Sequence, residues 1–145
     1  MRKKILIVED NTELLELVRL TLRGAGFATL EATNGLEALK KARAGSPDLI
    51  LLDLVLPELD GFAVCEHLRQ DAAMAATPII MLTGLTSTMT RYAGIESGAT
   101  EFVTKPVSPA HLLSRIEHWL QQRSLGAASS QNSEAKPDKI VTATD

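Results

Sequence analysis

The chain is poor in cysteine and has no long apolar run. Cys65 is the single cysteine among 145 residues, so no intrachain disulfide can form, which is typical of proteins in a reducing compartment. No apolar stretch approaches the roughly 20 residues that a membrane-spanning helix needs. The apolar run at residues 5–8 is also too short for the core of a signal peptide. We therefore expect a cytoplasmic protein without membrane insertion.

The chain also lacks a cluster of basic residues. Its longest basic stretch covers residues 2–4, and its formal net charge is −3. Because nucleic-acid binding needs a clustered basic surface, we expect no direct contact with nucleic acid. The apolar content of 45% at this length is sufficient for one domain with a real hydrophobic core.

Short apolar runs alternate with segments of helical periodicity along most of the chain. Residues 49–52 are continuously apolar, as expected of a central parallel strand that is covered on both faces. The pattern predicts five strands, near residues 5–8, 27–32, 49–52, 79–82 and 102–103, each followed by a helix. Such alternation is typical of an α/β fold with a parallel sheet.

Two segments depart from this regular pattern. The predicted helix at residues 86–97 is rich in threonine and contains Gly94, so its low helix propensity should make it easy to remodel. From residue 124 onward the composition is polar, and such a segment buries too little apolar surface to offset its ordering entropy. We therefore predict a domain at residues 1–123 and a flexible tail or truncated linker at residues 124–145.

Chemically active side chains stand at or just after the ends of four predicted strands. They are Glu9, Asp10, Asp53, Thr83 and Lys105. Because ligand chemistry gathers at the carboxyl ends of parallel strands, we expect these side chains to converge. The carboxylates could hold Mg²⁺, which prefers oxygen ligands, while the ammonium and the hydroxyl could bind phosphate oxygens. Asp53 is the best candidate for a nucleophile that accepts a phosphoryl group.

Each residue also has a simpler explanation. Glu9 and Asp10 could complement the dipole of the following helix, Asp53 could form a turn, and Thr83 could be ordinary strand material. Lys105 could be a solvated surface lysine, with Pro106 as loop punctuation. These separate explanations do not account for the fact that all five residues stand at the ends of strands. A cis Lys105–Pro106 bond would direct the lysine inward, but the sequence leaves the isomer open.

Four sequence segments together resemble the receiver domain of two-component response regulators. In chain order they read KILIVEDN, PDLILLDLVLPELDGF, PIIMLTG and SGATEFVTKPV, and the resemblance covers residues 3–122. It implies a flavodoxin-like (CheY-like) doubly wound fold: a five-stranded parallel sheet of order 2-1-3-4-5 with five helices.

The resemblance also implies roles for individual residues. Asp53 matches the phosphoacceptor, which takes its phosphoryl group from the phosphohistidine of a sensor histidine kinase or a histidine phosphotransfer protein. The Mg²⁺ ligands would be Glu9, Asp10, Asp53 and the backbone carbonyl of Val55.

The remaining matches concern the bound phosphate and the response to it. Thr83, Gly84 and Lys105 match the phosphate-binding positions. Thr83 and Phe102 match the hydroxyl and the aromatic ring that shift together, which would remodel the face formed by the fourth helix, the fifth strand and the fifth helix. An unidentified downstream protein would bind this face, or phosphorylation would drive formation of a homodimer.

Other functions remain open at this point. The chain could be a fragment of a larger regulator whose DNA-binding or cyclase output domain is absent. An aspartyl phosphatase normally carries a second acid two residues after its nucleophile, where this chain has Val55, so an enzyme is disfavoured. Flavin binding is disfavoured because Glu9 and Asp10 would repel the flavin phosphate. We also expect the apolar Val55 and Leu85 to give little help in orienting a hydrolytic water, which should prolong the life of the acyl phosphate.

Overall fold

A computed structural model describes residues 2–85 and 87–128 of the chain. The strands and helices alternate as the apolar runs predict. The strands are β1 (Lys4–Val8), β2 (Ala28–Ala32), β3 (Leu49–Asp53), β4 (Ile79–Thr83) and β5 (Glu101–Thr104). The helices are α1 (Thr12–Gly24), α2 (Gly35–Gly45), α3 (Gly61–Gln70), α4 (Thr88–Ser97) and α5 (Pro109–Ala128), and a short 3₁₀ turn (Ala72–Met74) follows α3.

All strand pairs are parallel, and the sheet order is β2-β1-β3-β4-β5, which confirms the predicted topology. The register brings the carboxyl ends of the strands to one edge of the sheet. Val8 pairs with Leu52 across β1 and β3, and Thr83 pairs with Thr104 across β4 and β5. Residues that end or follow these strands are therefore neighbours in space.

The core has two layers, one on each face of the sheet. Successive side chains of a strand point to opposite faces, so β1 contributes Leu6 and Val8 to the layer under α2 and α3, and Ile5 and Ile7 to the layer under α1 and α5. Burial of each large apolar side chain contributes about 1.5–3 kcal/mol. Because both faces are covered, a continuous apolar run such as that of β3 is the stable sequence for a central strand.

Polar side chains cap the helices that begin near the carboxyl edge. Asn11 Oδ1 accepts a hydrogen bond from the Leu14 N–H at 3.0 Å, and Asp60 Oδ1 accepts one from the Ala63 N–H at 2.9 Å. Each cap satisfies a backbone donor that has no partner within its helix. These caps determine where α1 and α3 begin, and so they also determine the length of the loops that carry the acidic residues.

The last helix, α5, extends past residue 123, where the sequence predicts the end of the domain; the boundary itself stays a prediction. α5 continues to Ala128 because glutamine, arginine and alanine are good helix formers even where a segment is too polar to be buried. Arg123 also donates a hydrogen bond to the Asp48 carbonyl oxygen at 2.8 Å, which ties this part of α5 to the loop before β3. The rest of the predicted tail, residues 129–145, lies outside the described residues. Within the described part of the chain, no helix is long and apolar enough to cross a membrane.

Candidate metal and phosphoryl site

The carboxyl edge of the sheet brings the predicted site residues together. Glu9 directly follows β1, Asp53 ends β3, Thr83 ends β4 and Lys105 directly follows β5. Backbone hydrogen bonds continue the sheet into these positions: the Glu9 N–H donates to the Ala32 carbonyl at 3.0 Å, and the Lys105 N–H donates to the Thr83 carbonyl at 2.9 Å. The strands therefore hold the backbone of the site rigidly.

Three carboxylates form one acidic cluster at this edge. One oxygen each of Glu9, Asp10 and Asp53 lies within 4.8 Å of the others. Asp10 is exposed, whereas Glu9 and Asp53 are only 4% and 7% exposed. Like charges this close repel one another, so a bound cation would stabilise the cluster. The donor set fits a hard divalent cation such as Mg²⁺, which binds carboxylate oxygens.

Lys105 supplies a positive charge inside the cluster. Its Nζ lies 3.0 Å from Glu9 Oε1 and 3.3 Å from Asp53 Oδ1. Burial alone would lower the pKa of Lys105, but the hydrogen bond to Glu9 and the charge of Asp53 outweigh it and raise the pKa. The side chain therefore stays protonated. Sequence analysis predicted that Lys105 would reach this site, but it did not predict the ion pair with Glu9.

Burial is the main reason why the pKa of Glu9 is raised. The Lys105 ammonium and the Asn11 N–H, which donates to Glu9 Oε2 at 3.1 Å, both favour the charged form. Burial and the neighbouring charge of Asp53 together outweigh these two contacts. Among the described residues, one ammonium faces three carboxylates, so the cluster is short of positive charge, which favours cation binding.

The other predicted phosphate positions, Thr83 and Gly84, lie at and directly after the end of β4, at the same edge of the sheet. Thr83 is buried, and its Oγ1 accepts a hydrogen bond from the Leu85 N–H at 3.0 Å. Gly84 is exposed, and the space that a side chain would occupy there is open. Val55 is 63% exposed and, together with Leu85, lines a surface pocket of about 230 Å³. The predicted role of the Val55 carbonyl as a metal ligand stays a prediction.

Two predictions concern the strand and loop that carry Lys105. The Lys105–Pro106 peptide bond is cis in the structure. The sequence alone had not determined this isomer. Phe102 is buried in β5, and its ring lies against Gly94 of α4. The aromatic residue at the predicted switch position therefore points into the protein in this structure.

Sequence reasoning missed a third buried carboxylate, which lies outside the acidic cluster. Glu101 of β5 is fully buried and faces α5. Arg115 Nε donates to both of its carboxylate oxygens at 3.0 Å, Arg115 Nη2 donates to Oε1 at 2.8 Å, and Trp119 Nε1 donates to Oε1 at 2.5 Å. The sequence signal was an acid inside a buried strand, combined with arginine and tryptophan four residues apart on one helix.

Arg69 was also missed. It connects the end of α3 to the ends of neighbouring elements through the carbonyl oxygens of Met74, Ala75, Thr77 and Gly98 and through Thr100 Oγ1. Burial lowers the pKa of its guanidinium group, and the described residues show no carboxylate paired with it. Its role is to satisfy backbone acceptors at the edge of the sheet opposite the acidic cluster.

The fold and the acidic cluster together define a receiver domain of the doubly wound α/β class. The family model described as "Response regulator receiver domain" matches residues 5–117. The chain belongs to this family.

Curated relatives in the same family are longer than this chain. It is 41% identical over 131 residues to the alkaline phosphatase synthesis transcriptional regulatory protein PhoP of Bacillus subtilis, covering 90% of this chain and 54% of the relative. It is 42% identical over 122 residues to the DNA-binding response regulator MtrA of Mycobacterium tuberculosis, covering 84% of this chain and 52% of the relative. The chain thus spans about half the length of these relatives.

Solved structures show the same fold. The CheY-like receiver domain protein of Methanospirillum hungatei is 29% identical with a TM-score of 0.82, and the alignment covers 86% of this chain and 98% of that one. The receiver domain of a sensor histidine kinase from Pseudomonas aeruginosa, described with a magnesium ion coordinated in its active-site cleft, is 28% identical. Its TM-score is 0.79, and the alignment covers 83% of this chain and 99% of that one.

Proposed function

We propose that this chain is a phosphorylation-controlled receiver in which Asp53 accepts a phosphoryl group from the phosphohistidine of a sensor histidine kinase or a histidine phosphotransfer protein. The observation that carries the proposal is the buried Asp53 carboxylate at the end of β3, which lies 3.3 Å from the Lys105 ammonium and within the acidic cluster with Glu9 and Asp10. A nucleophile, a cation site and a fixed positive charge are what phosphoryl transfer requires.

The residues that would hold Mg²⁺ are Glu9, Asp10, Asp53 and the Val55 carbonyl. The Pseudomonas aeruginosa receiver, described with a magnesium ion in its active-site cleft, supports the proposal of a magnesium site in this chain. When bound, the ion would reduce the repulsion between the Asp53 carboxylate and the phosphate oxygens.

In the transfer, an Asp53 carboxylate oxygen forms a bond to phosphorus while the bond from phosphorus to the donor imidazole nitrogen breaks. The electron pair of the broken bond returns to the imidazole. Lys105 already lies beside Asp53, so its ammonium can neutralise a phosphate oxygen with only a small side-chain movement. Thr83 Oγ1 can donate to another oxygen once it rotates away from the Leu85 N–H. The chain acts as a phosphoacceptor that assists its own modification rather than as an enzyme.

Movement of Thr83 and Phe102 would transmit phosphorylation to the face formed by α4, β5 and α5. A ligand shifts such an equilibrium only by its differential affinity for the two states. Met89 and Tyr92 of α4 are large, exposed side chains, and they offer contact area to a protein partner. Alternatively, a second copy of the chain binds this face upon phosphorylation, which would give a homodimer.

Alternatively, this chain is the receiver domain of a longer regulator. PhoP and MtrA are described as transcriptional and DNA-binding regulators, and this chain spans about half the length of each. If the chain is part of a longer protein, the descriptions of these relatives favour a DNA-binding output domain over a cyclase.

The test is intact-mass analysis after incubation with acetyl phosphate, with and without Mg²⁺. We expect a single phosphoryl adduct that requires Mg²⁺ and is absent from Asp53→Ala. The matched control is Asp60→Ala, which removes an acid from the neighbouring loop that caps α3 and has no place in the acidic cluster. Absence of an adduct on the folded wild-type protein with Mg²⁺ would contradict the proposal.

The apolar rim of the site leads to a prediction about the acyl phosphate. Val55 and Leu85 are exposed beside Asp53 and offer no polar group to orient a hydrolytic water. We expect the adduct to persist for hours and Val55→Asn to shorten its life about tenfold, because an amide can hydrogen-bond and orient a water although it cannot act as a base; tenfold in rate corresponds to about 1.4 kcal/mol in the barrier. Decay of the wild-type adduct within minutes, followed by mass spectrometry, would show that the rim does not protect the phosphoryl group.

A further inference from the structure

A buried glycine in α4 lies directly against the ring of Phe102. A Cβ atom built on Gly94 would lie 1.9 Å from Phe102 Cε1 and 2.2 Å from Phe102 Cζ. No side chain can be accommodated at such distances while the ring stays where it is. Glycine lowers the stability of a helix interior relative to alanine, so its presence here needs a reason in the packing. The ring of Phe102 supplies that reason.

The backbone of α4 at this position is held by several hydrogen bonds. The Gly94 carbonyl oxygen accepts from the Ala99 N–H at 3.0 Å and from the buried Ser97 hydroxyl at 2.8 Å. Gly98 follows with a φ of +105° and closes the helix. In contrast, a side chain at position 94 would meet the far end of the Phe102 ring, which can turn about the χ1 bond. A side chain at position 94 should therefore displace the ring rather than the helix.

We propose that Gly94 is a positioning residue for the phosphorylation response, because the absence of its side chain creates the space that Phe102 occupies when its ring points inward. This inference rests on the proposed function, in which Thr83 and Phe102 shift together. β4 and β5 are paired in register, with Met81 opposite Phe102 and Thr83 opposite Thr104, so the ring and the hydroxyl lie on neighbouring strands. Alanine at position 94 biases the protein towards the outward ring before any phosphoryl group arrives.

The experiment compares Gly94→Ala with Gly24→Ala. Gly24 is the last residue of α1, and a Cβ atom there would meet nothing within 4 Å, so it controls for the change in helix propensity. Phenylalanine labelled with ¹³C in the ring gives signals from the three phenylalanines, and Phe102→Leu assigns one of them. A soluble paramagnetic gadolinium chelate then reports how exposed the Phe102 ring is, with no phosphodonor present.

We expect the Phe102 ring to become accessible to the chelate in Gly94→Ala and to remain protected in Gly24→Ala and in the wild type. The proposal assigns the inward ring to the phosphoryl-bound state, because a ligand favours the conformation that it binds better. The affinity for beryllium trifluoride with Mg²⁺, which mimics a phosphoryl group on Asp53, should therefore fall about fivefold or more in Gly94→Ala, at the lower end of typical allosteric coupling. In the Phe102→Leu background the same alanine should have no effect, because there is no ring to displace. A purely structural role of Gly94 would lower the affinity equally in both backgrounds.

A ring that stays protected in Gly94→Ala, or an affinity loss that persists in Phe102→Leu, overturns the inference. If Gly94→Ala does not fold, recovery of folding in the double variant Gly94→Ala/Phe102→Leu supports a clash with the ring, and failure to recover overturns it. The adduct on wild-type Asp53 tests the proposed function separately. A protein that gains no adduct but whose ring still responds to Gly94→Ala would refute the function and retain the packing role.

Discussion

Two buried glutamates in this molecule are compensated in opposite ways. Glu101 accepts three hydrogen bonds from Arg115 and one from Trp119, so its charge is matched by a guanidinium that is placed for it alone. Glu9 shares a single ammonium with Asp53, and the exposed Asp10 adds a third carboxylate to the same place.

The difference shows how the surroundings of a buried acid indicate its role. A buried carboxylate whose oxygens all accept hydrogen bonds helps to hold the protein in one conformation. Removal of its cationic partner strongly lowers the free energy of unfolding. A cluster with more carboxylates than cations keeps part of its repulsion, which an added cation can relieve. The Glu101 group between β5 and α5 is therefore a structural element, whereas the Glu9 group is prepared for a ligand.

The largest effect should come from breaking the Glu101 group. Arg115→Ala leaves a fully buried carboxylate without its cation and should lower the free energy of unfolding by about 3–5 kcal/mol, as measured by urea denaturation. The control is Arg43→Ala, which removes an exposed ion pair with Asp71 and should cost about 1 kcal/mol or less. Equal losses in the two variants would mean that the buried pair has no special weight.

The next effect concerns the response of stability to Mg²⁺. An ion that binds only the folded state should raise the free energy of unfolding by about 2.7 kcal/mol at a hundred times its dissociation constant. Asp10→Asn should remove most of this gain, because Asp10 belongs to the acidic cluster.

Arg115→Ala should keep the full gain from Mg²⁺ despite its lower starting stability. Thermal unfolding with added Mg²⁺ or EDTA measures all three proteins. A Mg²⁺ gain that is unchanged in Asp10→Asn would place the metal elsewhere.

The smallest effect is the contribution of Glu9 to the pH dependence of stability. Its pKa in the folded state is raised, mainly by burial, so the folded state holds the proton more tightly than the unfolded state. Stability is therefore lost as the pH rises from the unfolded value through the folded one. Without Mg²⁺, Glu9→Gln should be more stable than the wild type at pH 7, and this advantage should shrink as the pH falls to about 4.5.

Thermal unfolding in EDTA across this pH range measures the difference. A Glu9→Gln variant that is less stable at pH 7 would mean that the bonds to Lys105 and Asn11 outweigh the burial of the charge.

Most of the fold was predictable because each element carries its own local signal. The continuous run at residues 49–52 predicted a strand covered on both faces, and β3 is buried throughout. Asn11 predicted the start of α1, and its side chain caps that helix. The end of α5 was not predicted because residues 124–128 have the polar and small-residue composition of the tail that follows them.

The site was predictable as a set of residues but not as a set of contacts. Strand ends in a parallel sheet converge by topology, so Asp53 and Lys105 were expected to be close. The sharing of Lys105 between Glu9 and Asp53, and the pairing of Glu101 with Arg115, depend on side chains that are far apart in the chain. No local pattern specifies them.

The sequence by itself determined the order of strands and helices, the positions of the helix caps and the residues that reach the carboxyl edge, because propensity, periodicity and turn chemistry act over a few residues. Only the tertiary structure decided which buried acid is neutralised and which is left short of positive charge. It also decided that Gly94 faces the ring of Phe102. Burial, distance and charge compensation arise when distant elements pack together, so these properties emerge only in the folded protein.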